Sequence, residues 1–303
     1  MTSRFPSRLT IASPSLHSLK WLITGAGGMV GRDLRDALTA RGEVVVALTR
    51  SDLDITDSRS VNAVIDEHAP SIILNCAAYT KVDQAEVEES VANAINGSSV
   101  ELLAAAANAV GALLVHISSD FVFDGTSKTP YEVTHATGPL SAYGRSKLLG
   151  ELAATHAEKH LIVRTSWLFG VHGPNFVEAI RGQIAKGTNP LRVVADQRGR
   201  PTYTPHLADA ILRLARLAHE SETARGIVHY ADGDECSWFD FATAIAEESG
   251  SDVTIKPVAT DEFPRPAKRP AYSVLSTERY ERLTGVAPES WREGLREYLS
   301  IRN

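Results

Sequence analysis

Short apolar runs alternate with longer amphipathic stretches along the first half of the chain. The runs are KWLIT, EVVVAL, SIILN, ALLVHIS and LIVRT. They are rich in Val, Ile and Leu with little polar alternation, which is typical of parallel strands that helices cover on both faces. The stretches between them have helical periodicity and are long enough to be crossover connections. This alternation predicts a Rossmann-type, doubly wound α/β sheet over residues 20–170.

The regular alternation ends near residue 170. Beyond it Pro, Gly and aromatic residues are more densely spread, and the helical stretches HLADAILRLARLAHE and WFDFATAIAEESG lie among short strands. We expect residues 171–303 to form mainly a smaller α+β substrate-binding lobe, with some segments returning to the core. Residues 1–19 mix Arg, Ser, Pro and Thr without the apolar segment of a signal peptide, which predicts a disordered extension.

Composition narrows the class of protein. Hydrophobic residues make up 43% and charged residues 22% of the chain, as in ordinary globular proteins. The net charge of −6 offers no basic surface for nucleic acid, and no apolar run is long enough to span a membrane. Two cysteines, Cys76 and Cys236, are too few for a disulfide framework. We therefore expect a protein of a reducing, cytoplasmic compartment.

A glycine-rich loop follows the first predicted strand and opens a helix. Gly25, Gly28 and Gly31 stand in G-x-x-G-x-x-G spacing, with Gly27, Met29 and Val30 between them. The first glycine suits a tight turn, the second lets the backbone approach a pyrophosphate, and the third lets the helix pack closely on the strand. The N–H groups at the helix N-terminus attract the anion. This context predicts a dinucleotide-binding loop.

The residues after the second predicted strand bear on the choice of cofactor. An acidic residue that binds the ribose 2′-OH of NAD is usual there, but Thr49 and Arg50 follow this strand. Since an Arg pairs well with a 2′-phosphate, NADPH is favoured over NADH, although Asp52 remains a candidate for the ribose. Asp54 and Ile55 are candidate contacts for the adenine edge.

The candidate catalytic residues follow the fourth predicted strand. Ser119 stands at its carboxyl end, and the next long helix carries Tyr143 and Lys147 in Y-x-x-x-K spacing. Residues four apart share one helix face, so the phenol and the ammonium point into the same cleft. We expect the cation to lower the pKa of Tyr143, making it a usable acid for a carbonyl oxygen that Ser119 also binds. The hydride would come from the nicotinamide, whose ribose Lys147 is expected to hold.

Taken together, the motifs resemble the extended short-chain dehydrogenase/reductase family and, within it, the dTDP-4-dehydrorhamnose reductases. The motifs that carry this resemblance are LITGAGGMVG, LDITD, NCAAYTKVDQAE, SSDFVFDG, YGRSKLLGE, RTSWLFG, DQRGRPTYT and RPAYSVLST, which cover most of the chain after Lys20. The resemblance implies reduction of the C4 ketone of dTDP-4-dehydro-L-rhamnose by NADPH or NADH, with Ser119, Tyr143 and Lys147 as the catalytic set.

The same resemblance assigns further residues. It implies cofactor contacts by Cys76, Ala77, Ala78 and Tyr79, substrate contacts by Asp120 and Phe121, and a sugar-pocket wall by Trp167. In the late basic motifs, Arg198, Arg200, Lys268 and Arg269 are candidates for the nucleotide diphosphate, because Arg binds phosphate in a bidentate manner; the alternative is a solvated basic surface. Two positions depart from the family: Ser119 replaces the usual Thr and keeps the hydroxyl, whereas Phe121 replaces a Tyr and loses one.

Several alternatives stay open. A dehydratase is disfavoured because Phe121, rather than a Glu, follows Asp120. A 4-epimerase shares the Tyr and Lys, and a non-catalytic relative, such as the regulatory subunit of methionine adenosyltransferase, keeps the nucleotide fold. The family includes dimers and proteins that bind a divalent cation such as Mg²⁺. The sequence shows no cluster of His, Cys or carboxylates at ligand spacing, so we expect no metal site.

Overall fold

The structure is a computed structural model that describes residues 19–302, so all but Leu19 of the predicted N-terminal extension lies outside the described residues. The strands are β1 Lys20–Thr24, β2 Val44–Leu48, β3 Ile72–Asn75, β4 Leu113–Ser119, β5 His160–Thr165, β6 Leu168–Phe169, β7 Leu191–Val194, β8 Arg198–Gly199, β9 Thr202–Tyr203, β10 Gly226–His229, β11 Cys236–Ser237 and β12 Ile255–Val258. The five runs that the apolar pattern marked out thus correspond to β1–β5.

Ten α-helices lie within the described range. They are α1 Met29–Ala40, α2 Ser58–His68, α3 Glu89–Asn93, α4 Ser99–Val110, α5 Ala142–Ala154, α6 Phe176–Ala185, α7 Thr204–Glu220, α8 Trp238–Glu248, α9 Glu278–Thr284 and α10 Trp291–Arg302. A π-helical turn, Ala94–Ser98, connects α3 to α4. Across residues 19–302, no helix combines the length and the apolar character needed to cross a membrane.

The central sheet has six parallel strands in the order β10-β5-β4-β3-β1-β2. The predicted doubly wound α/β fold is therefore confirmed. The chain moves outward from β1 to β2 and then crosses back to β3 on the other side of β1. In open sheets of this kind, ligands bind beyond the carboxyl ends of the strands at this point of reversal. The loops after β1 and β3 meet there.

Alternate residues of the buried strands supply the two apolar layers. Trp21 and Ile23 of β1 face α1 and α7, whereas Leu22 faces the side covered by α2, α4 and α5. All three side chains are fully buried. This two-sided burial explains why the strands read as continuous apolar runs.

The second half of the chain contributes to both the sheet and a separate lobe. Strand β10 pairs with β5 at the sheet edge, and α7 packs against α1. The lobe has its own aromatic core, in which Phe169 and Phe241 lie against Trp291 and Tyr298. Short strand pairs, β7 with β12, β8 with β11 and β6 with β9, join its segments. The lobe is thus interrupted by a return to the sheet between Thr204 and His229.

Candidate active site

The glycine-rich loop joins β1 to α1 and packs against the loop after β3. Gly25 has a φ of +66°, and a Cβ there would lie 2.6 Å from the Ala77 Cα. A Cβ on Gly31 would lie 2.5 Å from the Gly25 carbonyl oxygen. Gly28 differs, because its Cβ would meet only that oxygen, at 3.4 Å. Packing therefore requires glycine at positions 25 and 31, whereas Gly28 leaves open space at the start of α1 for a ligand.

This loop forms one wall of a cleft of about 570 Å³. The sequence-predicted residues on its walls are Gly25, Gly27, Gly28, Arg50, Asp54, Ile55, Cys76, Ala77 and Ala78. Gly28 is the N-cap of α1 and supplies no side-chain cap, so the first N–H groups of the helix are left for an anion. The volume and the exposed helix N-terminus fit a dinucleotide.

Another wall of the cleft was not foreseen from the sequence. Ser90, Val91, Ala94 and Ile95 line it from α3 and the π-helical turn. No local motif marks these residues, since they reach the cleft only through the packing of this segment onto α5.

At the end of the cleft beyond β2, Asp52 and Arg50 differ in whether their side chains are available to a ligand. The Asp52 carboxylate accepts hydrogen bonds from the Thr49 amide at 2.9 Å and the Thr49 hydroxyl at 2.6 Å, which lower the pKa of Asp52. The Asp52 carboxylate is thus occupied by hydrogen bonds within its own turn. Arg50, by contrast, is exposed on the cleft wall. This arrangement supports a 2′-phosphate rather than a free 2′-OH as the ligand group.

Some predicted cofactor residues lie behind the cleft wall. Val30 is buried in the sheet core, and the Met29 sulfur lies near Gly170, so only the backbone of these residues faces the helix N-terminus. The Tyr79 hydroxyl donates to Glu88 at 2.6 Å, and the Tyr79 amide donates to Asn96 at 2.7 Å. The Tyr79 side chain is therefore part of the support for the loop after β3.

The three predicted catalytic residues come together where β4 meets α5. Ser141 caps α5 by accepting from the Gly144 amide, which fixes the first turn with Tyr143. Tyr143 is hydrogen-bonded to the Ser119 side chain. One turn later, Lys147 is 3% exposed and its Nζ donates to the Ile117 carbonyl of β4 at 2.5 Å.

The acid–base properties of Tyr143 differ from the prediction. Burial and the negative charge of Asp120 raise the pKa of Tyr143 to about 12, although the hydrogen bond with Ser119 acts in the opposite direction. Burial also lowers the pKa of Lys147 to about 8. The prediction that the pKa of Tyr143 is lowered is therefore wrong, because burial and the charge of Asp120 raise it. Tyr143 is a neutral phenol at physiological pH, the form that a proton donor needs.

Asp120 lies beside this group and is 2% exposed. The Ser119 hydroxyl donates to its Oδ1 at 2.8 Å, while within residues 19–302 its Oδ2 has no hydrogen-bond partner. Burial raises the pKa of Asp120 to about 6, although the nearby Ser273 and Ser119 hydroxyls act in the opposite direction. A buried carboxylate oxygen without a partner can accept a further hydrogen bond.

A second cleft, of about 800 Å³, is lined by aromatic residues on one side. Phe121, Trp167, Phe176 and Trp238 supply these rings. The Phe121 ring meets the Tyr143 ring edge-on at 5.4 Å between centroids. Cys76 of the first cleft directly follows Asn75 of β3, which pairs with His116 of β4, next to the Ile117 carbonyl that binds Lys147. The candidate catalytic residues thus lie between a dinucleotide-sized cleft and an aromatic pocket.

The three arginines predicted for the diphosphate have other partners, and Arg198 forms an ion pair with Glu235 at 2.8 Å. The Arg200 guanidinium donates to the carbonyl oxygens of Asp232 and Leu275, at 2.8 and 2.9 Å, and does not line either cleft. Its role is to join lobe segments, so the structure does not support it as a substrate ligand. Arg269 lines the second cleft but forms a bidentate ion pair with Asp83.

The fold brings together a group of potential metal ligands that are far apart in the sequence. His206, Glu289 and Glu297 bring one ligand atom each within 4.8 Å of one another. His206 Nδ1 lies 3.0 Å from Asp232, and Nε2 lies 3.0 Å from Glu289. Although burial opposes it, these carboxylates raise the pKa of His206. Hydrogen bonding of the His206 ring to two carboxylates accounts for this geometry, and metal binding stays a prediction.

Comparison with known proteins places these features in a family. The family described as "RmlD substrate binding domain" matches residues 19–302. The chain is 41% identical to a dTDP-4-dehydrorhamnose reductase of Streptomyces griseus, over 92% of both chains. It is 43% identical to a probable dTDP-4,6-dihydroxy-2-methyloxan-3-one 4-ketoreductase of Streptomyces antibioticus, over 92% of this chain and 94% of that protein.

A solved structure agrees with these matches. The dTDP-4-dehydrorhamnose reductase of Bacillus anthracis, in complex with NADP, superimposes with a TM-score of 0.88 and 38% identity, over 94% of this chain and all of that chain. The family match and both relatives extend over almost the whole described range. The chain therefore belongs to the RmlD substrate binding domain family.

Proposed function

We propose that this protein reduces the C4 ketone of dTDP-4-dehydro-L-rhamnose to the alcohol of dTDP-L-rhamnose, with NADPH as reductant. The observation that carries the proposal is the position of Ser119, Tyr143 and Lys147 between the two clefts. The first cleft would hold the dinucleotide, with Arg50 at its 2′-phosphate and Gly28 at its pyrophosphate. The solved Bacillus anthracis reductase with NADP supports this choice of cofactor.

The cofactor and the side chains of this protein supply different parts of the reaction. When bound, NADPH supplies a hydride to the carbonyl carbon. The Tyr143 phenol donates its proton to the carbonyl oxygen, so that ketone, hydride and proton together give the secondary alcohol. Since the Ser119 hydroxyl has a single proton, it would turn from Asp120 to donate to the phenolate that is left, which favours the charged form of Tyr143. Lys147, which the carbonyl of Ile117 holds in place, keeps a positive charge beside this centre.

The aromatic pocket suits a deoxysugar. The Trp167 face can pack on the apolar side of the sugar, and Phe121 offers an apolar edge next to Tyr143. The unpartnered Oδ2 of Asp120 would accept from a ring hydroxyl. The related 4-ketoreductase of Streptomyces antibioticus, at a similar identity, favours another dTDP-4-keto sugar as the second candidate substrate.

The test is to incubate purified protein with NADPH and dTDP-4-dehydro-L-rhamnose and to follow the nicotinamide absorbance. We expect stoichiometric oxidation of NADPH and formation of dTDP-L-rhamnose. Parallel reactions with other dTDP-4-keto-6-deoxy sugars rank the substrates by kcat/KM. An epimerase would interconvert sugars without net oxidation of NADPH, and a regulatory relative would bind NADPH without turnover; either result contradicts the proposal.

A single substitution tests the assignment of Tyr143 as the proton donor. Y143F should lower kcat by at least about 10²-fold, the usual contribution of a positioned general acid, and leave NADPH binding within about twofold. Y280F serves as the control. Tyr280 is a buried tyrosine that packs against Tyr230 and is distant in sequence from Tyr143. Full activity of Y143F would place the proton donor elsewhere.

A further inference from the structure

One wall of the second cleft is an irregular segment, residues 263–270, which we call the strap. All eight of its residues, FPRPAKRP, line the cleft. Three of them are prolines, which lack an N–H and cannot donate to a regular backbone ladder. Only Ala267 and Pro270 are buried. Secondary structure therefore does not hold the strap over the cleft.

Asp83, in the loop after β3, holds the strap instead. Its Oδ1 accepts from the Ala267 amide at 3.2 Å and from Arg269 Nη1 at 2.8 Å, and its Oδ2 accepts from Arg269 Nη2 at 3.0 Å. Arg269 Nη1 also donates to the Ala267 carbonyl at 2.7 Å. Within residues 19–302, residues 264–269 form no hydrogen bonds other than these four. One carboxylate thus fixes both the backbone and a side chain of the strap.

The loop that carries Asp83 also supports the catalytic helix. Glu86 accepts from the Ala142 amide, the first of α5, at 2.9 Å. Glu89, at the start of α3, pairs with Arg145 at 2.8 Å. Asp83 therefore joins the strap to the same loop that fixes the first turn of α5, and with it Tyr143.

Arg265 and Lys268, the other two cations of the strap, differ from Arg269 in their ion pairing. Arg265 and Lys268 are exposed on the cleft wall, and neither has an ion-pair partner in the described part of the chain. Arg269 is already neutralised by Asp83. The free cations at this wall are therefore on the strap, on either side of the buried Ala267.

We propose that Asp83 is a positioning residue that holds the strap across the second cleft, so that Arg265 and Lys268 bind the diphosphate of the sugar nucleotide. The inference rests on the proposed function for the identity of the ligand. The positive charge of Arg269 is neutralised by its ion pair with Asp83. The charges of Arg265 and Lys268 have no ion-pair partner within residues 19–302 and are available to bind phosphate.

The test measures binding of dTDP by calorimetry, which needs no turnover and so remains informative if the proposed reaction fails. In D83N and in R269Q, the Kd for dTDP should rise by about tenfold, because the strap loses its anchor, while the Kd for NADPH stays within about twofold. R265A/K268A should weaken dTDP at least as much. D66N, a change on the exposed face of α2, is the matched control and should bind dTDP like the wild type.

A combined variant distinguishes positioning from a general loss of structure. D83N/R265A/K268A should bind dTDP no more weakly than R265A/K268A, since Asp83 acts through these two cations. The charge swap D83R/R269D should restore the affinity for dTDP to within about threefold of the wild type. In turnover, D83N should raise KM for the sugar nucleotide and leave kcat within about threefold. Unchanged dTDP affinity in both D83N and R269Q, or additive losses in the combined variant, would overturn the proposal.

Discussion

The Trp238 ring stacks on the Trp167 ring, with 3.5 Å between centroids and 6° between planes. Trp167 has a φ of +47°, a conformation that costs a bulky residue free energy and persists only where the surroundings enforce it. Gly199 also lies against the Trp167 ring, because a Cβ there would lie 2.4 Å from Trp167 Cε2. Phe176 packs on Trp238 at 4.6 Å. The wall of the aromatic pocket is therefore rigid, and Trp238 is one of its supports.

W238L should weaken substrate binding by removing the flat surface that aligns Trp167. We expect KM for the sugar nucleotide to rise by about five- to tenfold, with the Kd for NADPH unchanged within about twofold. The measurement is steady-state kinetics with each substrate varied in turn.

W291L is the control for loss of lobe packing. Trp291 is 1% exposed in the lobe core and does not line either cleft. We expect it to lower the free energy of unfolding by about 2–4 kcal/mol without raising KM. An equal rise of KM in both variants would assign the effect of W238L to stability alone.

G31A should disturb the dinucleotide loop, because its Cβ would lie 2.5 Å from the Gly25 carbonyl oxygen and 2.8 Å from the Ala26 Cα. Both neighbours are backbone atoms, so the helix or the turn must move. We expect a loss of about 1–3 kcal/mol in urea unfolding and weaker NADPH binding. G182A, in α6, has open space around its Cβ and should stabilise by up to about 1 kcal/mol. A neutral G31A would contradict close packing of α1 on the loop.

The pH dependence should follow Lys147, whose pKa is lowered by burial to about 8. Its positive charge is present below that pH and is lost as the pH rises through it. We therefore expect kcat/KM for NADPH to fall with a midpoint near pH 8, while Tyr143, with a pKa of about 12, stays protonated. K147R keeps its charge, so its residual activity should lack this midpoint. A wild-type profile that stays flat well above pH 8 would exclude Lys147 as the titrating group.

The Glu151–Arg164 ion pair links α5 to β5 and should be costly to break. The guanidinium donates to Glu151 at 2.8 and 2.7 Å, Ser118 donates to the same carboxylate, and both charged side chains are under 5% exposed. R164M should lower the free energy of unfolding by about 3–5 kcal/mol, because it leaves the buried Glu151 carboxylate without its ion-pair partner.

The double variant E151L/R164M tests that explanation. Removing both charges should recover part of the loss seen by chemical unfolding. R296Q, in an exposed pair with Glu248, should change stability by less than about 1 kcal/mol. If the double variant were less stable than R164M, packing rather than the unpaired charge would be the cause.

Features with a local physical cause could be read from the sequence alone. The strands β1–β5 follow from continuous apolar runs, because burial on both faces leaves no polar positions. Gly25 and Gly31 follow from steric limits within one turn and one helix start. The four-residue spacing of Tyr143 and Lys147 already places both on one face of α5.

Only the tertiary structure decided properties that depend on distant residues or on burial. Asp83 and Arg269 meet across 186 positions, so no local pattern could show that this arginine is an anchor rather than a phosphate ligand. The stacking of Trp238 on Trp167 and the convergence of His206 with Glu289 arise in the same way. The pKa of Tyr143 rises rather than falls because burial and the charge of Asp120, which are both set by the folded surroundings, raise it.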